Sequence, residues 1–237
     1  MKVAICISGY FNSSRDKTSK GKDGFKHLKK HVLNKVDADV YIHSWDLENK
    51  KKIIDLYENN LKGFLFEEQI NFSPFATIPH ENGYVPQSAI FSQLYSVQKS
   101  FELMEMTKTK YDCVIKTRFD VGRINRLTSG PGKSNPFAVQ CINFSSNYDM
   151  QNFYIADWQY LESEGPADMW FYSNYQNMKH FSKIYDIIKE DMKLGSEMEL
   201  WAGKEAGGMI NVIKAYKWFL LKNDLWKLIK PLETKWE

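Results

Sequence analysis

The stretch of sequence that decides the fold runs Tyr111-Asp112-Cys113-Val114-Ile115-Lys116-Thr117-Arg118-Phe119-Asp120-Val121. It begins as a short β-prone run, ends in Arg-x-Asp and is followed by the turn residue Gly122. Because side chains alternate between the two faces of a strand, Arg118 and Asp120 are predicted to lie on the same side. In open α/β sheets ligands bind beyond the carboxyl ends of the strands. The stretch therefore predicts a strand that delivers a cation and a carboxylate to a ligand site.

Two further strands are predicted upstream of this stretch. Residues 3–9 form a continuous apolar run closed by small residues, which is typical of a strand buried on both faces. Residues 39–43 are predicted to form a second strand. Apolar residues at helical spacing follow each strand, first around residues 25–32 and then from Lys50 to Leu61. Strands alternating with helices at this spacing indicate βαβ units and a parallel sheet.

The longest predicted helix covers residues 88–106 and leads directly into the strand at 111–116. Its apolar residues step by four and three along one stripe, namely Ile90, Leu94, Val97, Phe101 and Met104. Residues 71–87 carry three prolines and predict an irregular loop. Residues 122–165 predict an irregular, partly antiparallel region. A strand at 169–172 and helices at 175–191 and 205–222 follow. The fold class is α/β, with a largely parallel central sheet flanked by helices.

The composition is that of an ordinary globular protein, with 43% hydrophobic and 26% charged residues. The net charge of +3 is too small to indicate a nucleic-acid partner. Only four of the basic residues are arginines, and three of these, Arg118, Arg123 and Arg126, lie close together. Arginine recognises phosphate groups through paired hydrogen bonds. The cluster therefore places phosphate-binding side chains directly after the central strand.

The sequence also predicts the cellular location of the protein. The three cysteines, Cys6, Cys113 and Cys141, lie in apolar surroundings without the spacing of a zinc site, so we interpret them as buried thiols. The apolar run at residues 3–7 is much shorter than the hydrophobic region of a signal peptide. No stretch approaches the roughly 20 apolar residues of a transmembrane helix. We expect a cytoplasmic protein without an integral membrane segment.

The ends of the first two strands carry polar residues that a ligand could meet. Ser8, Gly9 and Arg15 belong to the loop after the first strand, where a nucleotide could lie, although a solvated loop has the same composition. His43 and Asp46 follow the second strand, and we predict them as ligand contacts. A histidine in this position is also a common packing residue. Asp39, at the start of the same strand, is interpreted as structural.

Asp168 is the second candidate carboxylate. It follows the turn residues Gly165 and Pro166 and precedes an apolar strand, so it could receive a proton from an acceptor hydroxyl. The same residue could instead cap the turn. Arg118 and Asp120 likewise have a structural alternative, a simple ion pair that closes the strand end.

The order of these segments resembles a known family. Residues 3–9, 38–46, 92–100, 111–120 and 167–173 occur in the order seen in a group of small bacterial and large-virus glycosyltransferase-like proteins with a GT-A core. The resemblance spans roughly residues 1 to 215. GT-A enzymes normally carry Asp-x-Asp at the strand end, and here Arg118 replaces the first aspartate. The resemblance implies a single GT-A, Rossmann-like domain over residues 1–237, with a nucleotide-binding half at 1–121 and an acceptor-side half at 122–237.

The resemblance also implies an activity: transfer of a sugar from a nucleoside-diphosphate sugar to a glycan or glycoconjugate acceptor. A divalent cation, Mn²⁺ or Mg²⁺, is implied as a cofactor that binds together with the nucleotide diphosphate. The implied donor-binding residues are Ser8, Gly9, Arg15 and Arg118, with His43 and Asp46 beside them. Asp120 is the implied metal ligand, and Asp168 is the implied catalytic residue nearest the reacting sugar.

Two other classes of protein fit the same residues. One is a nucleotide- or sugar-binding module without catalysis, in which the altered Asp-x-Asp marks lost chemistry. The other is a metal-dependent nucleotidyltransferase or hydrolase that uses Asp120 and Asp168. Product analysis separates them, because nucleotidyl transfer releases free diphosphate whereas glycosyl transfer releases a nucleoside diphosphate.

Overall fold

The protein is described by a computed structural model over residues 1–12, 20–78, 86–122, 141–157, 165–205 and 210–233. The strands are β1 Lys2–Ser8, β2 Asp37–Ser44, β3 Leu61–Phe66, β4 Cys113–Arg118, β5 Phe153–Ala156, β6 Trp170–Ser173 and β7 Ile229–Leu232. The helices are α1 Lys20–Leu28, α2 Lys50–Tyr57, α3 Gln87–Met106, α4 Tyr175–Met178, α5 Ile184–Asp191, α6 Glu197–Glu205 and α7 Val212–Lys222. A π-helical turn, Lys29–Leu33, extends α1.

The strands form one mixed sheet with the order β3-β2-β1-β4-β6-β5-β7. β3, β2, β1 and β4 are parallel to one another. β6 is antiparallel to both of its neighbours, β4 and β5, and β7 is parallel to β5 at the edge. The predicted α/β class with a largely parallel, helix-flanked sheet is therefore confirmed, and the first half of the sheet has the order of a Rossmann-like unit.

Helices cover both faces of the sheet, and the alternation along each strand decides which face a side chain joins. On one face Val3, Ile5 and Ile7 of β1 pack with residues of α1 and α2. On the other face Ala4 and Cys6 pack with residues of α3, and the same core cluster includes residues of α5 and α7. Burial on both faces explains the continuous apolar runs of β1 and β4. The same alternation directs Lys116 and Arg118 of β4 to the α3 side.

The register brings the ends of three strands together. Ser8, the last residue of β1, pairs with His43 of β2 on one side and with Arg118 of β4 on the other. The chain runs from β1 to β2 in one direction and from β3 back across to β4 in the other, so β1 and β4 form a topological switch point. Crevices at such points are where open α/β sheets bind ligands.

The structure corrects several predicted elements. The helix predicted from Lys50 to Leu61 ends at Tyr57, and Leu61 begins the edge strand β3. The region predicted as irregular and partly antiparallel contains the short strand β5, which is antiparallel to β6 in agreement with that prediction. The helix predicted at 175–191 is interrupted by a 3₁₀ turn at Lys179–Lys183. The last helix, predicted from residue 205, begins at Val212, where the Asn211 side chain accepts the Lys214 backbone N–H as an N-cap.

Within the described residues no helix is both long enough and apolar enough to cross a membrane. Cys141, which was also predicted to be buried, is only partly so, whereas Cys6 and Cys113 are buried thiols without a disulfide, as predicted. Their burial raises the pKa of both thiols.

Candidate functional site

A cleft of about 290 Å³ opens at the carboxyl ends of β1 and β4, where the topology places a ligand site. We call it the strand-end cleft. Its walls come from the loop after β1, the end of β2, the first half of α3 and the end of β4. The lining residues are Ser8, Gly9, Tyr10, Phe11, Trp45, Gln69, Ala89, Ser92, Gln93, Ser96, Arg118 and Asp120. Aromatic rings, neutral polar groups and one ion pair thus meet in a single recess.

Gly9 shapes the first wall because its backbone has a φ of +104°, a conformation that L side chains rarely adopt. Its N–H donates to the Ser96 hydroxyl at 3.0 Å and to the carbonyl of His43 at 3.2 Å. Its own carbonyl accepts the Ser44 hydroxyl at 2.7 Å. The sharp turn after β1 is therefore fixed by β2 and α3, and no side chain at residue 9 projects into the cleft.

A linear set of hydrogen bonds continues from Gly9 into the protein. The imidazole Nδ1 of His43 lies 2.7 Å from the Ser96 hydroxyl, and its Nε2 lies 2.9 Å from a carboxylate oxygen of Glu67. We call Gly9, Ser96, His43 and Glu67 the histidine network. Since the carboxylate only accepts, Nε2 carries the proton and Nδ1 accepts from the serine hydroxyl.

His43 has no solvent exposure. Burial lowers the pKa of its imidazole, and the hydrogen bond to Glu67 opposes this shift only in part. The ring is therefore neutral around pH 7, although it lies beside a carboxylate. His43 was predicted as a ligand contact, but it does not line the cleft itself and instead contacts three residues that do, Gly9, Trp45 and Ser96.

Asp46 holds two backbone segments rather than lining the cleft. Its carboxylate accepts the backbone N–H of Asn12 at 3.2 Å and that of Asn49 at 3.1 Å. The Asn49 side-chain amide donates to both carboxylate oxygens. Asp46 thereby joins the chain after β1 to the start of α2 and shapes the surroundings of the cleft from behind.

Arg118 lies between two carboxylates at the other wall. Its Nε and Nη2 donate to the two oxygens of Asp120, both at 3.0 Å, which is a bidentate pair. Its Nη1 donates to Oδ2 of Asp168 at 2.8 Å. Arg118 and Asp120 come from the end of β4, as the alternation predicted, whereas Asp168 comes from the segment before β6. We call Lys116, Arg118, Asp120 and Asp168 the ion cluster.

Asp168 is fixed from three directions. Besides Arg118, the side-chain amide of Gln93 on α3 donates to the same Oδ2 at 2.6 Å. The ammonium of Lys116 donates to the backbone carbonyl of Asp168. Among the described residues no hydrogen-bond partner is found for Oδ1. One oxygen of a well-held carboxylate is thus left for another group, and the side chain is 19% exposed.

Lys116 is a fully buried cation. Its ammonium lies 4.8 Å from the ring centre of Phe171 and 5.1 Å from that of Tyr216. Burial lowers the pKa of this lysine to about 7, while Asp168 acts in the opposite direction. Cation–π contacts and the Asp168 carbonyl offset part of the cost of removing the ammonium from water.

The charges of the ion cluster shift one another. Burial by itself would raise the pKa of Asp168, but Arg118 and Lys116 outweigh it, and the pKa stays below the usual range for a carboxyl group. Burial would lower the pKa of Arg118, but Asp168 and Asp120 together raise it above its usual value. Asp168 is therefore ionised at neutral pH and, while paired with Arg118, is a weak base.

The predicted site residues have different outcomes in the structure. Ser8, Gly9, Arg118 and Asp120 line the strand-end cleft, and Asp168 joins them through Arg118. His43 and Asp46 lie behind the wall. Arg15, Arg123 and Arg126 lie outside the described residues. Asp39 is structural as predicted, since it accepts the Tyr111 hydroxyl at 2.8 Å at the opposite end of the strands.

Sequence reasoning did not assign a role to two residues of α3, Gln93 and Ser96. A signal for them exists in the spacing of polar residues within this otherwise apolar helix. Ser92, Ser96 and Ser100 recur every four residues and are all buried, which marks a polar stripe on one face. Gln93 and Ser96 bond to Asp168 and His43, which lie on other elements far along the chain, so the sequence alone does not identify these pairs.

A second and larger hollow of about 530 Å³ lies between α5, α6 and α7. Its lining includes Met198, Trp218 and Leu221, with Asp191 bonded to the Trp218 indole N–H. It contains none of the strand-end residues. The polar groups and the ion cluster therefore assign the candidate functional site to the smaller strand-end cleft.

In the part of the chain that the structure describes, no group of three or more His, Cys, Asp or Glu side chains is placed to share a metal ion. Asp120 is the carboxylate that lines the cleft, and its oxygens already accept from Arg118. A carboxylate offers about four lone-pair positions, so Asp120 keeps room for a cation. Comparison with known proteins finds no family whose model matches this chain and no curated protein that matches it.

Proposed function

We propose that this protein is a nucleotide-sugar-dependent glycosyltransferase that moves a sugar to a glycan or glycoconjugate acceptor. The observation that carries the proposal is that Arg118 and Asp120 line a cleft beyond the carboxyl ends of β1 and β4, with Asp168 bonded to Arg118 beside them. Such a cleft needs a cation for the diphosphate and a carboxylate for the acceptor, and both are present within hydrogen-bonding distance of each other.

Arg118 is the residue we assign to the donor diphosphate. Its guanidinium is 35% exposed and lines the cleft, and a planar fork of N–H groups suits phosphate oxygens. The absence of a side chain at Gly9 leaves the facing wall open to the close approach of a phosphate or ribose. Tyr10 and Trp45 supply aromatic surface in the same cleft for stacking on a base or a sugar.

Asp168 is the residue we assign to the acceptor. While Arg118 is paired with it, the carboxylate is a weak base. When a diphosphate attracts the guanidinium, Asp168 loses its strongest cation and its basicity rises. Donor binding thus prepares the group that receives the acceptor proton, and the Oδ1 atom without a partner among the described residues is the atom we assign to that role.

A divalent cation fits the donor set only in company with the substrate. Asp120 offers one carboxylate, and Mg²⁺ or Mn²⁺ is commonly held by one or two carboxylates together with substrate phosphates and water. When bound, such an ion neutralises charge that develops on the leaving diphosphate. We therefore propose that metal binds weakly to the free protein and tightly once a nucleotide diphosphate is present.

We also propose that the domain is a GT-A variant of the α/β class. Support comes from the Rossmann-like order of β3-β2-β1-β4, followed by a mixed half in which β6 is reversed, and from the carboxylate directly after β4. The alternative of a binding module without catalysis has one observation in its favour. Arg118 is satisfied by Asp120 and Asp168 alone, so the ion cluster needs no ligand for its stability.

The test is a calorimetric screen of nucleotide sugars with uracil, guanine, thymine and cytosine bases, with and without Mn²⁺. We expect one nucleotide class to bind, with affinity that rises in the presence of metal. Slow hydrolysis of that donor, accelerated by an acceptor glycan and yielding a nucleoside diphosphate, supports the transferase. Binding without turnover indicates the non-catalytic module, and release of free diphosphate indicates nucleotidyl transfer. Full activity of Asp120→Ala in chelator would contradict the metal role.

A further inference from the structure

We infer that Gln93 is the positioning residue that holds Asp168 in place while Arg118 contacts the donor. The inference rests on the proposed function, in which Asp168 receives the acceptor proton, and adds to it a residue that nothing else assigns. Its basis is a single geometric fact: the amide of Gln93 and the guanidinium of Arg118 both donate to Oδ2 of Asp168, at 2.6 and 2.8 Å.

The two donors come from independent parts of the fold. Arg118 ends β4, and Gln93 lies in the second turn of α3, whose 20 residues pack across the face of the sheet. Gln93 also lines the strand-end cleft, so its amide crosses from the helix wall to the segment before β6. If Arg118 turns toward a diphosphate, Gln93 remains as the side chain that orients the Asp168 carboxylate.

The backbone of Asp168 is anchored separately. The ammonium of Lys116 donates to the Asp168 carbonyl from beneath the cleft, between the rings of Phe171 and Tyr216. Lys116 therefore fixes the position of the Asp168 backbone, and Gln93 fixes the orientation of its carboxylate. Both side-chain donors bond to Oδ2, and Oδ1, which has no partner among the described residues, is the atom to which the proposed function assigns the acceptor proton.

The charged and titratable groups that face Asp168 also come from several elements. Lys116 and Arg118 approach from β4, Tyr216 approaches from α7, and the neutral amide of Gln93 approaches from α3. Arg118 and Lys116 set most of the electrostatic field on the carboxylate. The hydrogen bond from Gln93 adds a further contribution that favours the ionised form. Replacing Gln93 with an apolar residue therefore changes both the orientation and the pKa of Asp168.

The chain offers a matched control on the same helix. Gln98 is another glutamine of α3, more deeply buried than Gln93, and its amide also donates to carboxylates, those of Glu102 and Asp186 at 2.9 Å. It faces α5 instead of the cleft, and its carbonyl accepts the Tyr185 backbone N–H. Gln98→Met therefore removes the same kind of bond from the same helix without touching Asp168.

The experiment compares Gln93→Met with Gln98→Met in steady-state kinetics over a range of pH. We expect Gln93→Met to lower kcat by about 10- to 100-fold, because misplacing a catalytic group by about 1 Å costs that much. The donor KM should stay within about threefold of the wild-type value. The acid limb of the pH profile should move to higher pH, since Asp168 loses a bond that favours its ionised form. Gln98→Met should lose stability but keep the wild-type acid limb.

A double-mutant cycle with Asp168→Asn separates positioning from general damage. If Gln93 acts through Asp168, Gln93→Met adds little to the loss already caused by Asp168→Asn. Additive losses would overturn the inference, as would a rise in donor KM as large as the fall in kcat, which would make Gln93 a donor contact.

A titration by NMR keeps this test separate from the test of the proposed function. The Asp168 carboxyl carbon, assigned by its disappearance in Asp168→Asn, reports its own pKa without any substrate. An upward shift in Gln93→Met supports the link between Gln93 and Asp168 even if no donor is turned over. An unchanged pKa overturns it even if the wild-type protein proves to be a transferase.

Discussion

Two polar groups lie at the same edge of the sheet, on the same side and against the same helix, yet they differ in charge and exposure. Ser96 belongs to the histidine network and Gln93 donates to Asp168 of the ion cluster, and these two residues are three apart and so share one face of α3. In the network the central ring is fully buried and neutral. In the cluster the side chains of Arg118 and Asp168 are 35% and 19% exposed.

The difference indicates a division of roles. In the histidine network the Gly9 N–H, the Ser96 hydroxyl and both ring nitrogens of His43 all have partners within the network, so it fixes the turn at Gly9. The ion cluster places two carboxylates around one arginine and leaves an oxygen of Asp168 without a partner among the described residues. The histidine network thus forms a rigid wall of the cleft, and the ion cluster forms the wall that we propose contacts the substrates. Mutations in the two walls should therefore have different effects on stability and on activity.

The largest expected effect comes from Asp168→Asn, which removes the charge with little change in shape. A general base contributes about 10²- to 10⁴-fold in rate, so turnover should fall by that factor. Donor affinity should stay within about threefold, because the acceptor proton moves only in the transition state. Rate measurements with saturating acceptor and calorimetry with the donor check the two parts.

The control is Asp191→Asn, a change to a carboxylate that is bonded to Trp218 and Lys222 away from the cleft. It should leave turnover unchanged. If Asp168→Asn keeps wild-type turnover, Asp168 has no catalytic role. If Asp168→Asn loses donor binding and stability together, the ion cluster has a structural role, as the histidine network does.

The next effect in size is expected at Arg118. Arg118→Lys keeps a positive charge but loses the planar fork, and one charge-assisted hydrogen bond is worth roughly 1.5–3 kcal/mol. Affinity for the nucleotide sugar should fall by about one to two decades. Titration calorimetry measures it directly, with Lys222→Met as a control that removes a paired cation outside the cleft.

Arg118→Ala is a stronger test of the role of Arg118, because it leaves Asp120 and Asp168 without their shared cation. We expect it to bind donor more weakly than Arg118→Lys. If Arg118→Ala binds the nucleotide sugar as tightly as the wild-type protein, Arg118 is a structural partner of the two carboxylates and does not contact the diphosphate.

The parts of the fold that the sequence predicts well are those with a strong local signal. β1, β2 and β4 are buried on both faces, and each contains at least three consecutive apolar residues in the sequence. The prediction that the helix continues to Leu61 was wrong because Leu61 continues the helical spacing of residues 50–57. Leu61 instead begins β3, a strand that is defined by its pairing with β2 at the sheet edge. β5 has only four residues and depends on β6 and β7 for its pairing.

In the candidate site, too, sequence predicts the local contacts but not those that depend on tertiary packing. Arg118 and Asp120 are two residues apart, so the alternation of a single strand places them together. Gln93 and Asp168 are 75 residues apart and meet only because α3 packs across the sheet. Sequence alone identifies the strand ends that carry charged and polar side chains. It does not identify helix side chains whose partners depend on tertiary packing.

The smallest expected effect tests the neutrality of the histidine network. His43→Leu removes two buried hydrogen bonds and should lower the free energy of unfolding by about 1–3 kcal/mol at pH near 8. Burial lowers the folded-state pKa of His43, so the unfolded chain gains a proton first as the pH falls below about 6.5. The wild-type protein therefore loses stability through that range, and the variant does not share this loss. Urea unfolding at several pH values should show the two curves approaching each other in acid.

Glu67→Gln is the control, because its amide oxygen still accepts the Nε2 proton of a neutral ring. Glu67 is 31% exposed on its side chain, so loss of its charge should change stability by less than about 1 kcal/mol. A gap between wild type and His43→Leu that widens in acid would mean that His43 is protonated in the folded protein and forms an ion pair with Glu67. Such a result would make the histidine network ionic, and the two walls of the cleft would then differ in exposure but no longer in charge.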